Sequence, residues 1–349
     1  MPACPLLITA DETLLDHVVT VAAAAGVETM VAPDVGTALP SWPAASVVLA
    51  GIDQAHGLLH RRPRPLRPVH LLGDEHDRAE LCSLSAQLGA AVVVLPEHRA
   101  LLGMLVQTGA ATDRVGRLVA VRGATGGVGA STVAVGLAWR AARAGRRGVV
   151  VDLDPYGGGL DLVLGAEAEP GWRWPDLAPL TGQLTDLGPR LPHVDGLAVL
   201  AAGRRDTALV PPVTAVDTVL SGCLREHDLV VADLGTGLPS ELTAEVLARA
   251  HTALLLVRDD VRGVAAGDAM VRAGRESGLD WHVVLCRGVG PGLPSDSVAD
   301  TIGADVVATL PYDRGLQLAL QRGEPPGQVG GRRWRRQVAD LLARVEEGA

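Results

Sequence analysis

The residues best equipped for chemistry are a short run, Gly126-Gly127-Val128-Gly129-Ala130-Ser131-Thr132, and three aspartates, Asp152, Asp154 and Asp233. The run follows an apolar strand pattern, Arg117–Arg122, and opens a helical pattern from Ser131 to Ala144. A strand, a glycine turn and a helix in that order let backbone N–H groups converge on phosphate oxygens, and the helix N-terminus adds partial positive charge. Such a turn alone says little in a chain with 42 glycines. The aspartates add weight. Val149-Val150-Val151-Asp152-Leu153-Asp154-Pro155 is an apolar strand ending in two carboxylates. Leu229-Val230-Val231-Ala232-Asp233 ends in one and runs into Gly235-Thr236-Gly237. Carboxylates at the C-terminal ends of neighbouring parallel strands face the crevice where ligands bind, placed to hold Mg²⁺ through water beside phosphates. A purely structural reading stays open: a tight turn for the glycines, solvated or capping ends for the aspartates, and an N-cap for Ser131.

Two successive α/β units would position these residues. In the first, strand patterns at Leu6–Thr9, Val27–Val31, Ser46–Ala50, Pro68–Leu72 and Ala91–Leu95 alternate with helices at Glu12–Ala25, Arg78–Leu88 (ended by Gly89) and Arg99–Thr108. This alternation predicts a parallel, doubly wound sheet. A small-residue stretch, Gly109–Gly116, reads as a linker. The second unit has strands at Arg117–Arg122, Gly148–Leu153, Leu197–Ala201, Asp228–Leu234, Thr252–Val257, Trp281–Leu285 and Val306–Leu310. Helices at Val213–His227, Ser240–Ala250, Val261–Ser277 and Ser295–Ile302 lie between them, predicting a mostly parallel sheet. A Gly/Pro-rich break, Gly323–Gly331, precedes a last helix at Trp334–Val345. The expected division is 1–112, 113–325 and 326–349.

Bulk composition limits the function classes. The 349 residues suffice for two domains; 48% are hydrophobic, 2% aromatic and 20% charged. The net charge of −9 and the lack of a basic stripe with interleaved aromatics argue against nucleic acid as a partner. All 31 basic residues are Arg; Lys, Asn and Phe are absent. Cys4, Cys82, Cys223 and Cys286 are scattered and form no C-x-x-C pair, which fits buried thiols in a reducing, cytoplasmic setting. No long apolar run predicts a membrane span.

The glycine loop, the Asp152-Leu153-Asp154-Pro155 strand end and the Asp233 strand resemble the deviant Walker A, Walker A′ and Walker B motifs of the MinD/ParA ATPases. Within that superfamily, the stretch from Asp152 to Asp161 and Gly171-Trp172-Arg173-Trp174-Pro175-Asp176-Leu177 are similar to the CpaE/TadZ-like branch. More narrowly they resemble actinobacterial septum-site-determining, CpaE-like proteins. The resemblance covers nearly the whole chain. It implies ATP and Mg²⁺ as cofactors, with the nucleotide held by Thr125, Gly126, Gly127, Val128, Gly129, Ala130, Ser131 and Thr132. Ser131 would offer its hydroxyl to Mg²⁺, Asp152 would support the metal, and Asp233 would be the Walker B carboxylate. Asp154 would be the catalytic residue that positions the attacking water. It further implies a homodimer that places division or Flp-pilus/Tad secretion proteins from the cytoplasm, at poles or septa.

The family loop reads K-G-G-x-G-K-T/S. Its signature lysine falls on Thr125 and its P-loop lysine on Ala130, and the adenine-side Asn falls at Cys286-Arg287. Drift toward GC-rich codons would favour Arg, so Ala130 reads as a real loss of charge. A hydrogen bond to a charged group contributes roughly 1.5–3 kcal/mol, so its loss weakens binding about 10- to 150-fold. Backbone donors, helix dipole and metal remain. Nucleotide binding is therefore expected, with hydrolysis weak or absent, because the lysine acts on charge that develops in the transition state. Arg122 and Arg258 are the candidate substitutes. Trp172 and Trp174 read as packing residues, and Asp161 as a cap or turn residue.

The front unit resembles a receiver (CheY-like) domain. A working receiver carries acids after the first strand, Asp after the third, a hydroxyl after the fourth and Lys after the fifth. Here those places hold Ala10–Asp11, Gly51, Gly73 and Leu95, with Asp53 two residues late. No phosphorylation is expected, and docking or dimerisation is the implied role. At the other end, Trp334, Val338, Leu341, Leu342 and Val345 share one helical face behind Arg332-Arg333-Trp334-Arg335-Arg336. MinD relatives reach membranes through such a helix, so weak membrane association is one reading. A closing helix packed on the sheet is the favoured one.

Overall fold

The computed structural model describes residues 4–42, 45–61, 69–88, 90–111, 116–179, 186–203 and 209–347. The chain divides into two compact units, Met1–Val115 and Gly116–Ala349. Pro68, Gly89, linker residues 112–115 and the boundary expected at 112/113 lie outside the described residues.

The first unit runs β1 (Cys4–Ile8), α1 (Glu12–Ala24), β2 (Met30–Ala32), α2 (Val35–Ala38), β3 (Ala45–Gly51), α3 (Ile52–Arg61), β4 (Val69–Asp74), α4 (Arg78–Leu88), β5 (Ala91–Leu95) and α5 (Arg99–Ala111). Its five strands are all parallel, in the order β2-β1-β3-β4-β5, the doubly wound order shared by flavodoxin and CheY. Alternate side chains serve opposite layers: Leu6 and Ile8 join one core cluster and Leu7 the other. β3 is buried along its whole length, as a central strand covered on both faces must be. The helix α3 was not legible in the sequence, because only Ala55 and Leu58 of it are buried. α5 runs on past Thr108 to Ala111, so the expected linker begins as helix; alanine favours this extension.

The second unit carries β6 (Arg117–Gly123), α6 (Ala130–Arg143), β7 (Gly148–Asp152), α7 (Leu160–Leu164), α8 (Trp174–Leu177), β8 (His193–Val194), β9 (Leu197–Leu200), α9 (Val213–Glu226), β10 (Leu229–Asp233), α10 (Ser240–Arg249), β11 (Thr252–Arg258), α11 (Val261–Glu276), β12 (His282–Cys286), α12 (Ser295–Ile302), β13 (Val306–Leu310), α13 (Arg314–Leu320), α14 (Pro326–Val329) and α15 (Arg332–Glu347). The sheet order is β13-β12-β11-β6-β10-β7-β9-β8. Every pairing is parallel except β8 with β9. β6, first in sequence, lies between β10 and β11, so the strand order reverses around it. The crevice at its C-terminal end is where such sheets bind ligands.

The closing helix α15 packs against α6 and β13. Trp334, Val338, Leu341, Leu342 and Val345 are all buried in the main core, each contributing about 1.5–3 kcal/mol of burial. The face that would enter a lipid interface is thus covered by protein, which corrects the membrane reading of this helix. No described helix is long and apolar enough to cross a membrane. The four cysteines are free; Cys223 is buried, whereas Cys82 is exposed, against the expectation of buried thiols throughout.

Candidate nucleotide-binding site

The loop from β6 to α6 is shaped by what its glycines allow. A Cβ on Gly123 would lie 2.7 Å from Val128 Cγ1 and 2.9 Å from the Thr125 carbonyl oxygen, so the loop folds tightly back over the strand end. Gly127 and Gly129 have φ of +72° and +97°, a region that L side chains avoid. A Cβ at Gly126, Gly127 or Gly129 would meet nothing within 4 Å. The turn is open on its outer side. Gly129 caps α6 without any side-chain hydrogen bond to the first turn, leaving its amides free of the usual Ser or Asp cap. Ala130 lies half-buried against the core, where a lysine would extend in the family pattern. The Thr125 hydroxyl is buried with no partner.

Parallel register brings the aspartates together. Asp152 and Asp233 are direct partners across β7 and β10, and only 2% and 1% exposed. Asp152 is fixed: Asp154 N and Leu160 N donate to its two oxygens, each at 3.0 Å, and the Trp174 indole donates to its carbonyl at 2.5 Å. Asp233 accepts the Ser131 hydroxyl and, at 3.4 Å, the Gly235 amide. Burial pushes the Asp152 carboxyl up to about 7, with the Asp233 charge adding to it. Burial likewise pushes Asp233 up to about 6, against the Ser131 hydrogen bond. Neither has an arginine ion pair among the described residues. Two buried carboxylates side by side without a countercharge form a site short of a cation.

Asp154 is held beside this pair. Its carboxylate accepts Tyr156 N at 3.0 Å and presses on the turn at Gly235, where any Cβ would collide with it. Among the described residues no three His, Cys, Asp or Glu form a metal-ligating group. Mg²⁺ in phosphate sites needs only one or two carboxylates, completed by water and phosphate. The Ser131–Asp233 pair suits that smaller demand, and Asp152, with both oxygens engaged, suits a supporting place behind it.

On the β11 side of the loop lies a cavity of about 290 Å³, near the lower end for small-molecule sites. It reaches from Gly127, Gly129 and Thr132 to the ends of β12 and β13, walled by Arg258, Cys286, Tyr312 and Trp334. The two candidate substitute arginines separate here. Arg122 donates to Thr243 Oγ1 on α10 at 3.1 Å, whereas Arg258 faces the cavity, 3.3 Å from the Asp260 carboxylate. Arg287 also lines it but is tied down, donating to the Leu293 carbonyl at 2.6 Å and to buried Asp259 at 3.3 Å. Tyr312 and Trp334 were not legible as site residues, because Tyr312 follows β13 and Trp334 belongs to α15, and only the packing of those elements beside the loop carries them there. Trp174 packs as expected, and Trp172 stacks under Arg190. Asp161 is more than a turn residue: it is buried and lies 3.6 Å from Arg173.

In the first unit Asp53, two residues after Gly51, folds back so that its carboxylate fills the space a side chain at Gly51 would take. It accepts Thr9 Oγ1 and Ala10 N at 2.8 Å and Gln54 Nε2 at 2.9 Å. A Cβ on Gly51 would collide with it.

A glycine turn at the switch point of a parallel sheet, with carboxylates ending the next two strands on one side, β10 and β7, defines a P-loop nucleotide-binding fold. Comparison with known proteins agrees. The family model "Rv3660c-like, CheY-like N-terminal domain" matches residues 8–116. The uncharacterized protein Rv3660c of Mycobacterium tuberculosis is 34% identical over 327 residues, covering 90% of each chain. The chromosome-partitioning ATPase Soj of Thermus thermophilus is 30% identical over 257 residues, 66% of this chain and 97% of Soj. Among solved structures, a ParA family ATPase from Chlorobium tepidum superposes with a TM-score of 0.59 at 16% identity, over 66% of this chain and 99% of that one. The septum site-determining protein MinD of Pyrococcus horikoshii, complexed with Mg-ADP, gives 0.55 at 18% identity, over 66% and 96%. The chain belongs to the MinD/ParA P-loop NTPase superfamily, in the Rv3660c-like group with a CheY-like domain in front.

Proposed function

We propose that this protein is a nucleotide-sensing switch that binds ATP with Mg²⁺, hydrolyses it weakly or not at all, and positions a division or Flp-pilus/Tad secretion apparatus as a homodimer. The observation that carries this reading is the open Gly126–Gly129 turn beside two cation-poor buried carboxylates, Asp152 and Asp233. Thr125 to Thr132 would hold the phosphates through backbone N–H groups and the α6 dipole. Ser131 and Asp233 would hold Mg²⁺, with Asp152 behind them. Asp154 would orient the attacking water, but Ala130 cannot offset charge developing on the transferred phosphoryl group. The MinD structure with Mg-ADP and the named roles of Soj and MinD support the cofactors and the positioning role. Membership of the CpaE/TadZ-like branch rests on the Asp152–Asp161 and Gly171–Leu177 stretches. The polar or septal address follows from the same resemblance.

The rival reading is a partner-stimulated ATPase, favoured by the retained Asp154. Phosphate release separates the two. The switch reading expects weak turnover or none for the wild type, with no stimulation by candidate partners, and gain of turnover in Ala130→Lys. Clear wild-type turnover abolished by Asp154→Ala establishes the ATPase instead. A structural adaptor without nucleotide binding is the third reading.

A further inference from the structure

Behind α6, on the face turned toward α15, lies a second groove of about 590 Å³. Its walls carry Arg140 and Arg143 from α6 and Arg332, Arg335 and Arg336 from α15, against a single carboxylate, Asp195. All five arginines are exposed. The only ion pair recorded for them among the described residues is Arg336 with Asp340, at 3.9 Å. The chain as a whole is acidic, at −9, so this is a local concentration of positive charge against the overall balance.

Local structure accounts for only part of the gathering. Arg140 and Arg143 sit in the last turn of α6, where cations complement the helix dipole. Arg332, Arg335 and Arg336 sit at the opposite kind of place, the start of α15, where the dipole opposes them and like charges at i,i+3 and i,i+4 repel. Three positions unfavourable to the helix thus aim their charge into one groove. The floor is rigid: Trp139 and Trp334 are buried, and Gly327 and Gly136 pack so closely on them that a Cβ would clash. A pre-formed site loses less on binding.

We propose that this groove is a docking site for an acidic peptide segment of a partner protein. Guanidinium forks match carboxylates in two-point hydrogen bonding, and the groove's size suits side chains of a short segment. A membrane fits less well, because no large apolar side chain of α6 or α15 is exposed to insert beside the arginines. A nucleic acid strand fits less well, because both tryptophans are buried and cannot stack on bases. The site is independent of the nucleotide reading, although Trp334 also walls the cavity beside the glycine loop.

The test is fluorescence anisotropy of a fluorescein-labelled peptide of alternating Glu and Ala titrated with the full-length protein, beside its Gln-for-Glu counterpart. Saturable, salt-weakened binding of the Glu peptide alone is expected. The double variant Arg140→Glu/Arg335→Glu should lose at least about tenfold in affinity, and the milder Arg140→Gln/Arg335→Gln should fall between. Arg333→Glu, on the same helix but outside the groove lining, should match the wild type. A thermal melt checks that each variant is folded. The proposal is overturned if the Glu peptide does not bind, or if Arg333→Glu weakens binding as much as the groove variants. It is equally overturned if phosphatidylglycerol vesicles or duplex DNA bind with the same variant dependence and displace the peptide.

Discussion

Asp152 and Asp233 stand opposite each other on adjacent parallel strands, both buried, and neither carboxylate faces an arginine among the described residues. The fold pays for this arrangement in stability. Trp174 and the amides of Asp154 and Leu160 hold Asp152 in place rather than letting it turn to solvent.

Their titration gives the first prediction. Both folded-state values, about 7 and about 6, lie above the ordinary aspartate value of about 3.9. Between these limits this pair binds more protons in the folded protein than in the unfolded chain, so its contribution to stability falls as pH rises through about 4 to 7. Thermal unfolding of the free protein across that window should show a smaller decline for Asp233→Asn than for the wild type. Asn at 233 can still hydrogen-bond Ser131. Identical slopes would contradict the assignment, and saturating Mg²⁺ and ATP should flatten the wild-type slope.

Restoring the lost cation is the second. Ala130→Lys should tighten ATP binding by about 10- to 150-fold, the value of one hydrogen bond to a charged group. Isothermal titration checks it. No gain in Ala130→Lys, together with a loss in Arg258→Ala, would show that Arg258 on the cavity wall already supplies the charge.

The turn after β10 carries a third. Gly235 has φ +54°, and a Cβ there would run into the Asp154 carboxylate. Gly235→Ala should therefore cost about 1–3 kcal/mol by overpacking, with added backbone strain. Urea unfolding measures it; a neutral outcome would mean that Asp154 moves away freely.

The fourth concerns the closing helix. Trp334, on α15, is buried against α6 and walls both cavities. Trp334→Ala should cost about 3–5 kcal/mol, read by denaturant unfolding. Since the apolar face of α15 is covered, the wild type should not sediment with lipid vesicles.

Much of this was legible in the sequence because its signals are local. The glycine turn and the three strand-end aspartates are each contained in a few residues, and parallel pairing then brings Asp152 beside Asp233. Long helices such as α9 and α11 show their period plainly. The short α7, α8 and α14 do not, being too brief for a 3.6-residue repeat. The groove of five arginines was hidden for another reason. Arg140 and Arg332 are far apart in sequence, and only the docking of α15 on α6 brings them together.

The account stands most directly on a titration of labelled ATP against the purified protein, with and without Mg²⁺. It predicts saturable binding below about millimolar concentration, weaker by well over tenfold when Mg²⁺ is withheld. Absence of saturable binding in that range, with a folded protein and Mg²⁺ present, would contradict it.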